Sequence, residues 1–232
     1  VIEPALVERI QRARLTVATS QERFDLLVRL GTALMEGGQA LEAIEVWTEL
    51  RREQPGENHA LAGLRRGYRD TEQWESLCRL LVEWAGESEV PEAEELLLEC
   101  GHVIDEALGD RERGRLHWEA FTQRYSDSSE GWINLSRLAD APERWHFARR
   151  GLELAREDMM VEESLIREMG RAADRDEADW AWTQILRHHE NDREALDGMI
   201  GLARLSSRLP DERKYLERRV ALGEPGLKAA LS

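Results

Sequence analysis

Cys100-Gly101-His102, with Asp105 and Glu106 close behind, is the stretch that brings thiol, imidazole and carboxylate nearest to one another. Such donors hold zinc when they converge on one point. Here they do not converge. Each helical step turns a side chain by about 100°, so Cys100 and His102 face different sides. Cys100 also falls on an apolar position, where a thiol behaves as a small hydrophobe. His188 and His189 diverge for the same reason, and the Glu190-Asn191-Asp192 that follows does not complete an HExxH site. No phosphate-binding GxxxxGK[ST] loop and no GxSxG nucleophile turn occurs. Glu92 to Glu95 and Asp174 to Glu177 are rich in carboxylates but lack the alternating oxygens and central glycine of a calcium loop. They suit helix starts, where negative charge meets the positive end of the dipole. Asn134-Leu135-Ser136 matches a glycosylation acceptor, yet it lies inside a helical pattern with Ser136 on a core position. Cys78 is read as packing. The expectation is therefore no catalytic residue, no bound metal and no cofactor.

Composition narrows the field further. The 232 residues carry 32 Lys+Arg against 47 Asp+Glu, a formal charge of −15. A phosphate backbone calls for a basic surface, so nucleic acid is not the expected partner. Hydrophobic residues make up 41%, enough for a core, and no apolar run is long enough to span a bilayer. Two cysteines are too few for a disulfide framework and favour a reducing, cytoplasmic setting. The N-terminus shows neither an initiator Met nor a signal sequence, which leads us to expect a segment of a longer protein.

The elements that must position any function emerge from periodicity. Leu27, Leu30, Gly31 and Leu34 share one helical face, and Ala43, Trp47 and Leu50 share another. Gly37-Gly38 breaks the chain between them, because glycine accepts a positive φ at a helix end. Pro55 closes the hairpin. Gly31 and Ala43 are small where two helices would cross, and Trp47 is large enough to fill the space beside them. The pattern recurs, with first anchors at 27, 61, 97, 132, 166 and 196. Leu61, Leu64 and Tyr68 precede Leu77, Leu81 and Trp84, with Arg65 standing where a small residue is expected and loosening this copy. Leu97, Cys100, Gly101 and Ile104 precede Gly114, Trp118 and Phe121. Trp132, Leu135, Ser136 and Ala139 precede Ala148, Leu152 and Ala155. Ile166, Met169, Gly170 and Ala173 precede Ala178, Trp182 and Ile185. Leu196, Met199, Ile200 and Ala203 open a sixth copy whose second helix has no readable register.

A period near 34 residues belongs to helix–turn–helix repeats. At these positions the chain resembles the tetratricopeptide repeat (TPR) family, closely in the first copy and more loosely in the last. The resemblance implies an all-α, right-handed α-solenoid of stacked hairpins, about six repeats with partial repeats at both ends. The copies are bounded at 20–57, 58–90, 91–127, 128–160, 161–191 and 192–223. Residues 1–19 read as the trailing helix of a preceding repeat and 224–232 as the start of a further helix. Trp47, Trp118 and Trp182 occupy one packing position, while Trp74, Trp145 and Trp180 staple neighbouring hairpins.

In this family the first helix of each pair lines the concave face. The ninth family position falls on Thr32, Arg66, His102, Arg137, Arg171 and Gly201, and the twelfth on Met35, Arg69, Asp105, Asp140, Asp174 and Arg204. With Arg167 one turn before Arg171, the resemblance assigns a binding row of Arg66, Arg69, His102, Arg137, Arg167, Arg171 and Arg204. Such a row would hold an extended or helical protein segment with acidic side chains or a free carboxylate. The alternative is that His102–Asp105, Arg137–Asp140 and Arg171–Asp174 neutralise one another along each helix. The Lys and Asn clamp of chaperone-tail binders is missing, since Val28, Thr32, Ala62 and Gly63 stand there. The function expected is non-enzymatic protein binding within a larger bacterial scaffold. The alternative is the regulatory or assembly arm of an enzyme whose catalytic part lies elsewhere. Membrane insertion is not expected; self-association through exposed solenoid ends is.

Overall fold

The computed structural model describes residues 19–155 and 162–223. Within them the chain forms twelve α-helices and no strand: α1 (Ser20–Glu36), α2 (Ala40–Glu53), α3 (Asn58–Asp70), α4 (Trp74–Glu87), α5 (Val90–His102), α6 (Arg111–Arg124), α7 (Ser129–Leu138), α8 (Glu143–Ala155), α9 (Glu163–Ala172), α10 (Arg175–His188), α11 (Arg193–Leu205) and α12 (Leu209–Ala221). A π-helical segment, Val103–Leu108, continues α5. Of the two stretches read as partial repeats, residues 1–18 and 224–232 lie outside the described residues.

The chain divides into two compact units, Val1–Gly114 and Arg115–Ser232. In the first, each helix packs on its neighbour in sequence from α1 to α5, and α1 also touches α3. That second kind of contact is what stacks one hairpin on the next. In the second unit the same order runs from α7 to α8 and from α9 to α12, with α8 on α10 and α9 on α11. No single hairpin could cover its own apolar face, so the stacking itself builds the core.

The first hairpin shows how local chemistry sets the elements. Thr19 caps α1 in a box with Glu22, each side chain serving the other's backbone. The cap therefore sits one residue before Ser20. Gly38 takes φ +74° between α1 and α2, a conformation costly for any residue with a Cβ. Leu27, Leu30, Gly31, Leu34, Ala43, Trp47 and Leu50 are all buried. The core of this unit runs on through Leu61, Leu64, Leu77, Leu81, Leu96 and Ile104. That of the second unit gathers Trp145, Leu152, Ile166, Met169, Trp182, Ile185 and Met199.

The tryptophans explain the glycines. Trp47 lies in a slot between α1 and α3: a Cβ would meet its indole 2.5 Å from Cε2 at Gly31 and 2.5 Å from Cδ2 at Gly63. Trp182 is held the same way by Gly170 of α9 and Gly198 of α11. A bulky second-helix ring thus packs against glycine of its own hairpin and glycine of the next. In α3 the small residues stand beside Arg65, not at it. Gly63 faces Trp47, Gly67 faces Ile44, and Arg65 pairs with Glu99 instead. Two anchors shift by one residue. Leu97 is half-buried beside the fully buried Leu96, and Trp132 is half-buried, tilted against Phe147 at 5.7 Å beside buried Ile133.

Candidate functional site

The residues that could have held a metal are not gathered. Among the described residues no group of His, Cys, Asp and Glu could hold an ion. Cys100 is buried, whereas His102 is part-exposed and lies 4.0 Å from Glu106. His188 ends α10; His189 is already past the helix, its backbone N–H donating to Ile185 and its ring 3.5 Å from Glu163. Asn134 and Ser136 are both buried, so the acceptor triplet is closed to a glycosyl group. Asp174 caps α10, accepting from the backbone N–H of Asp176 and Glu177.

The Arg and His row lies on first helices, α3, α5, α7, α9 and α11, and several of its arginines reach partners outside the i, i+3 pattern. In the first unit Arg69 donates to Glu99 at 2.6 Å, and Arg65 reaches the same carboxylate from one turn earlier. Arg66 is 3.6 Å from Asp70 on its own helix. In the second unit Arg137 donates to Asn134 at 2.9 Å and lies 3.7 Å from Glu162. Arg171 donates to Glu194 at 2.5 Å, and Arg204 to Glu212 at 2.6 Å.

Arg167 is distinct. Its guanidinium donates through Nε and Nη2 to Glu163, through Nη1 and Nη2 to Asp192 and through Nη1 to Glu194. Asp192 at the same time caps α11 by accepting from Ala195 N–H at 2.9 Å. The Arg167 hydrogen bond holds the Asp192 carboxyl below its ordinary range despite opposing burial. Arg171 does the same for Glu194. One half-buried arginine therefore ties α9 to the start of α11.

Exposure separates these roles. The side chains of Arg66, Arg69, Arg137, Arg171 and Arg204 are 63%, 50%, 55%, 57% and 54% accessible, against 20% for Arg167. The first five carry donors that no carboxylate occupies in full, because a guanidinium offers five N–H groups. Arg167 is saturated. It is a staple between hairpins, and the row reduces to the other residues.

Sequence reasoning missed the acceptors. Glu99, Glu162 and Glu194 sit on or beside the first helix of the following hairpin, somewhat less than one repeat away from their arginines. The same spacing recurs between second helices, where Arg51 reaches Glu83 at 2.8 Å, Arg115 reaches Glu143 at 3.3 Å and Arg208 reaches Asp179 at 2.9 Å. A search for opposite charges 23 to 32 residues apart would have found them.

No family model and no curated protein matches this sequence. Solved structures do match its fold. The C-terminal part of a TPR repeat-containing protein from Cytophaga hutchinsonii aligns with a TM-score of 0.56 at 11% identity, covering 85% of this chain and 81% of that one. A tetratricopeptide repeat protein from Parabacteroides merdae aligns at 0.46 and 14%, covering 99% and 91%. A putative kinesin light chain from Podosopora anserina with nearly identical TPR-like repeats aligns at 0.46 and 19%, covering 68% and 86%. At these identities the likeness is one of fold: all-α, with hairpins stacked as in TPR and solenoid-repeat proteins. No described helix is long and apolar enough to cross a membrane.

Proposed function

We propose that this chain is a non-enzymatic interaction scaffold, acting in the cytoplasm as part of a larger bacterial protein, whose first-helix surfaces take up an acidic protein segment. The observation that carries this reading is the recurrence of half-exposed guanidinium groups on first helices of a chain with formal charge −15. In an acidic chain these guanidinium groups offer an extended carboxylate-bearing segment local positive charge. Arg66, Arg69 and His102 serve this purpose in the first unit, and Arg137, Arg171 and Arg204 in the second. Charge-assisted N–H to carboxylate bonds set the register, and the flat fork of arginine favours bidentate capture. Two unlinked cysteines support the reducing compartment.

The test is binding of fluorescent acidic peptides, poly-Glu and a Glu-Leu alternating peptide, to the wild-type chain and to Arg66→Glu/Arg69→Glu and Arg137→Glu/Arg171→Glu. Each reversed pair is expected to weaken binding about tenfold or more, with a shallower salt dependence. Circular dichroism confirms that folding survives, since exposed ion pairs contribute only about 0–1 kcal/mol each. Equal affinity in both double variants would remove the first-helix surface as the site.

A further inference from the structure

The only two cysteines of the chain meet. Cys78 of α4 and Cys100 of α5 are 22 residues apart in sequence, and both are buried in the core of the first unit. Each sulfur points at the other's backbone: Cys78 Sγ is 4.0 Å from the Cys100 carbonyl, and Cys100 Sγ is 3.9 Å from the Cys78 carbonyl. This reciprocity requires both Cβ atoms to lie on the shared face of two neighbouring helices, with the thiols side by side between them. Both residues are reduced and unlinked. The sequence placed Cys100 on a core face and Cys78 among packing residues, without any sign that the two would meet.

We propose that Cys78 and Cys100 form a reversible oxidation site, closing as an intramolecular disulfide that locks α4 to α5. The helices concerned belong to successive hairpins, so the bond would tie one hairpin to the next within the first unit. The oxidant is a small peroxide. Cys78 as thiolate attacks one peroxide oxygen, the O–O bond breaks, and a sulfenic acid forms as hydroxide leaves and takes up the thiol proton to give water. The Cys100 sulfur then attacks the sulfenic sulfur, the S–O bond breaks, and a second water leaves with the Cys100 proton. Two thiols lose two electrons, and one peroxide becomes two waters.

The surroundings favour Cys78 as the first to ionise. A hydrogen bond from Cys100 lowers its pKa and outweighs burial, and the nearby Arg113 guanidinium, held by Glu75 at 2.8 and 2.9 Å, assists. The same hydrogen bond, with burial, raises Cys100 and keeps it protonated as the resolving thiol. Because the pair is buried, oxidation proceeds through brief opening of the α4–α5 contact, which makes the reaction slow and sensitive to denaturant.

The test uses the intact wild-type chain, treated with dilute hydrogen peroxide and then unfolded under acid for thiol counting and mass analysis. The expected result is loss of both thiols, a mass lower by two hydrogens and a peptide map joining Cys78 to Cys100. The thermal midpoint should rise by roughly 10 °C and fall back with dithiothreitol. Cys78→Ala and Cys100→Ala should each keep the reduced midpoint within a few degrees and lose the oxidative shift. Retention of both thiols under conditions that oxidise a surface-cysteine control would overturn the proposal. So would products that gain oxygen without a crosslink, or a crosslinked dimer in place of the internal bond.

Discussion

Gly198 and Gly201 lie three residues apart on α11 and should respond oppositely to the same substitution. A Cβ at Gly198 would stand 2.6 Å from Cε2 and 2.7 Å from Cδ1 of Trp182, whereas one at Gly201 would meet nothing within 4 Å. Replacing a helical glycine by alanine ordinarily stabilises by about 1 kcal/mol. At Gly201 that gain is expected in full. At Gly198 it is opposed by overpacking, roughly 1–3 kcal/mol when a methyl is forced into a filled core. The indole cannot retreat, because Gly170 holds its other side with a prospective Cβ only 2.5 Å from Cε2. Gly198→Ala should therefore lie below Gly201→Ala by about 2 kcal/mol. With a urea slope of about 1.5–2 kcal/mol/M for a unit of this size, the midpoints separate by about 1 M. Circular dichroism through a urea series gives the midpoints, and hydrogen exchange of α10 and α11 amides shows whether the loss is local to the second unit. If Gly198→Ala is as stabilising as Gly201→Ala, the indole is not wedged between two helices and the account of the Trp–Gly slots fails.

Trp182→Ala should lose about 3–5 kcal/mol, since the ring is buried and no larger residue adjoins it at Gly170 or Gly198, and thermal melts would register the change. Arg167→Met should cost about 2 kcal/mol at neutral pH by stripping charged hydrogen bonds from Glu163 and Asp192. Its acid behaviour should change as well. The folded Asp192 carboxyl titrates below its unfolded value, so its contribution is complete above pH about 4 and fades as pH falls through the depressed folded value. Acid titration followed by ellipticity should show a shallower limb in Arg167→Met than in the wild type. Arg213→Ala, which breaks an exposed i, i+4 pair with Glu217, should move the midpoint by less than 0.5 kcal/mol.

How much of this was legible in the residues depends on which forces are local. In the first hairpin every apolar position fell where the 3.6-residue rhythm placed it, because Leu, Trp and small residues each meet a fixed neighbour there. The second helix of the last hairpin resisted reading for a physical reason: among its residues only Leu216 and Arg219 are buried, and Arg219 is held by Asp197 at 2.8 Å. A charged residue on the core face erases the apolar signal. The π-helical continuation of α5 has no marker beyond the left-handed Gly109 that ends it. The row's residues lie on first helices, but their partners were sought only three residues along the same helix, whereas the stack adds carboxylates from the next hairpin at Arg69, Arg137 and Arg171. The meeting of Cys78 and Cys100 is likewise a product of stacking, as neither residue carries information about which helix will cover it.

Those inter-hairpin pairs also constrain what the surface can do. A guest carboxylate approaching Arg69 or Arg171 must share a guanidinium already bound to Glu99 or Glu194. Screening by salt weakens resident and guest pairs together, so raising ionic strength should loosen both the inter-hairpin contacts and an acidic segment held as proposed. The exchange is easiest where the resident contact is longest. Arg66 with Asp70 at 3.6 Å and Arg137 with Glu162 at 3.7 Å are both beyond ordinary hydrogen-bond length, and both arginines are more than half exposed. In the proposed binding they are the positions where an incoming carboxylate breaks no short resident ion pair, Arg137 keeping its 2.9 Å bond to Asn134. Arg167, bonded through all three of its nitrogens and largely buried, is where it gains nothing. On the proposed reading, one residue type performs two tasks on the same helices, and the geometry of its resident partner decides which.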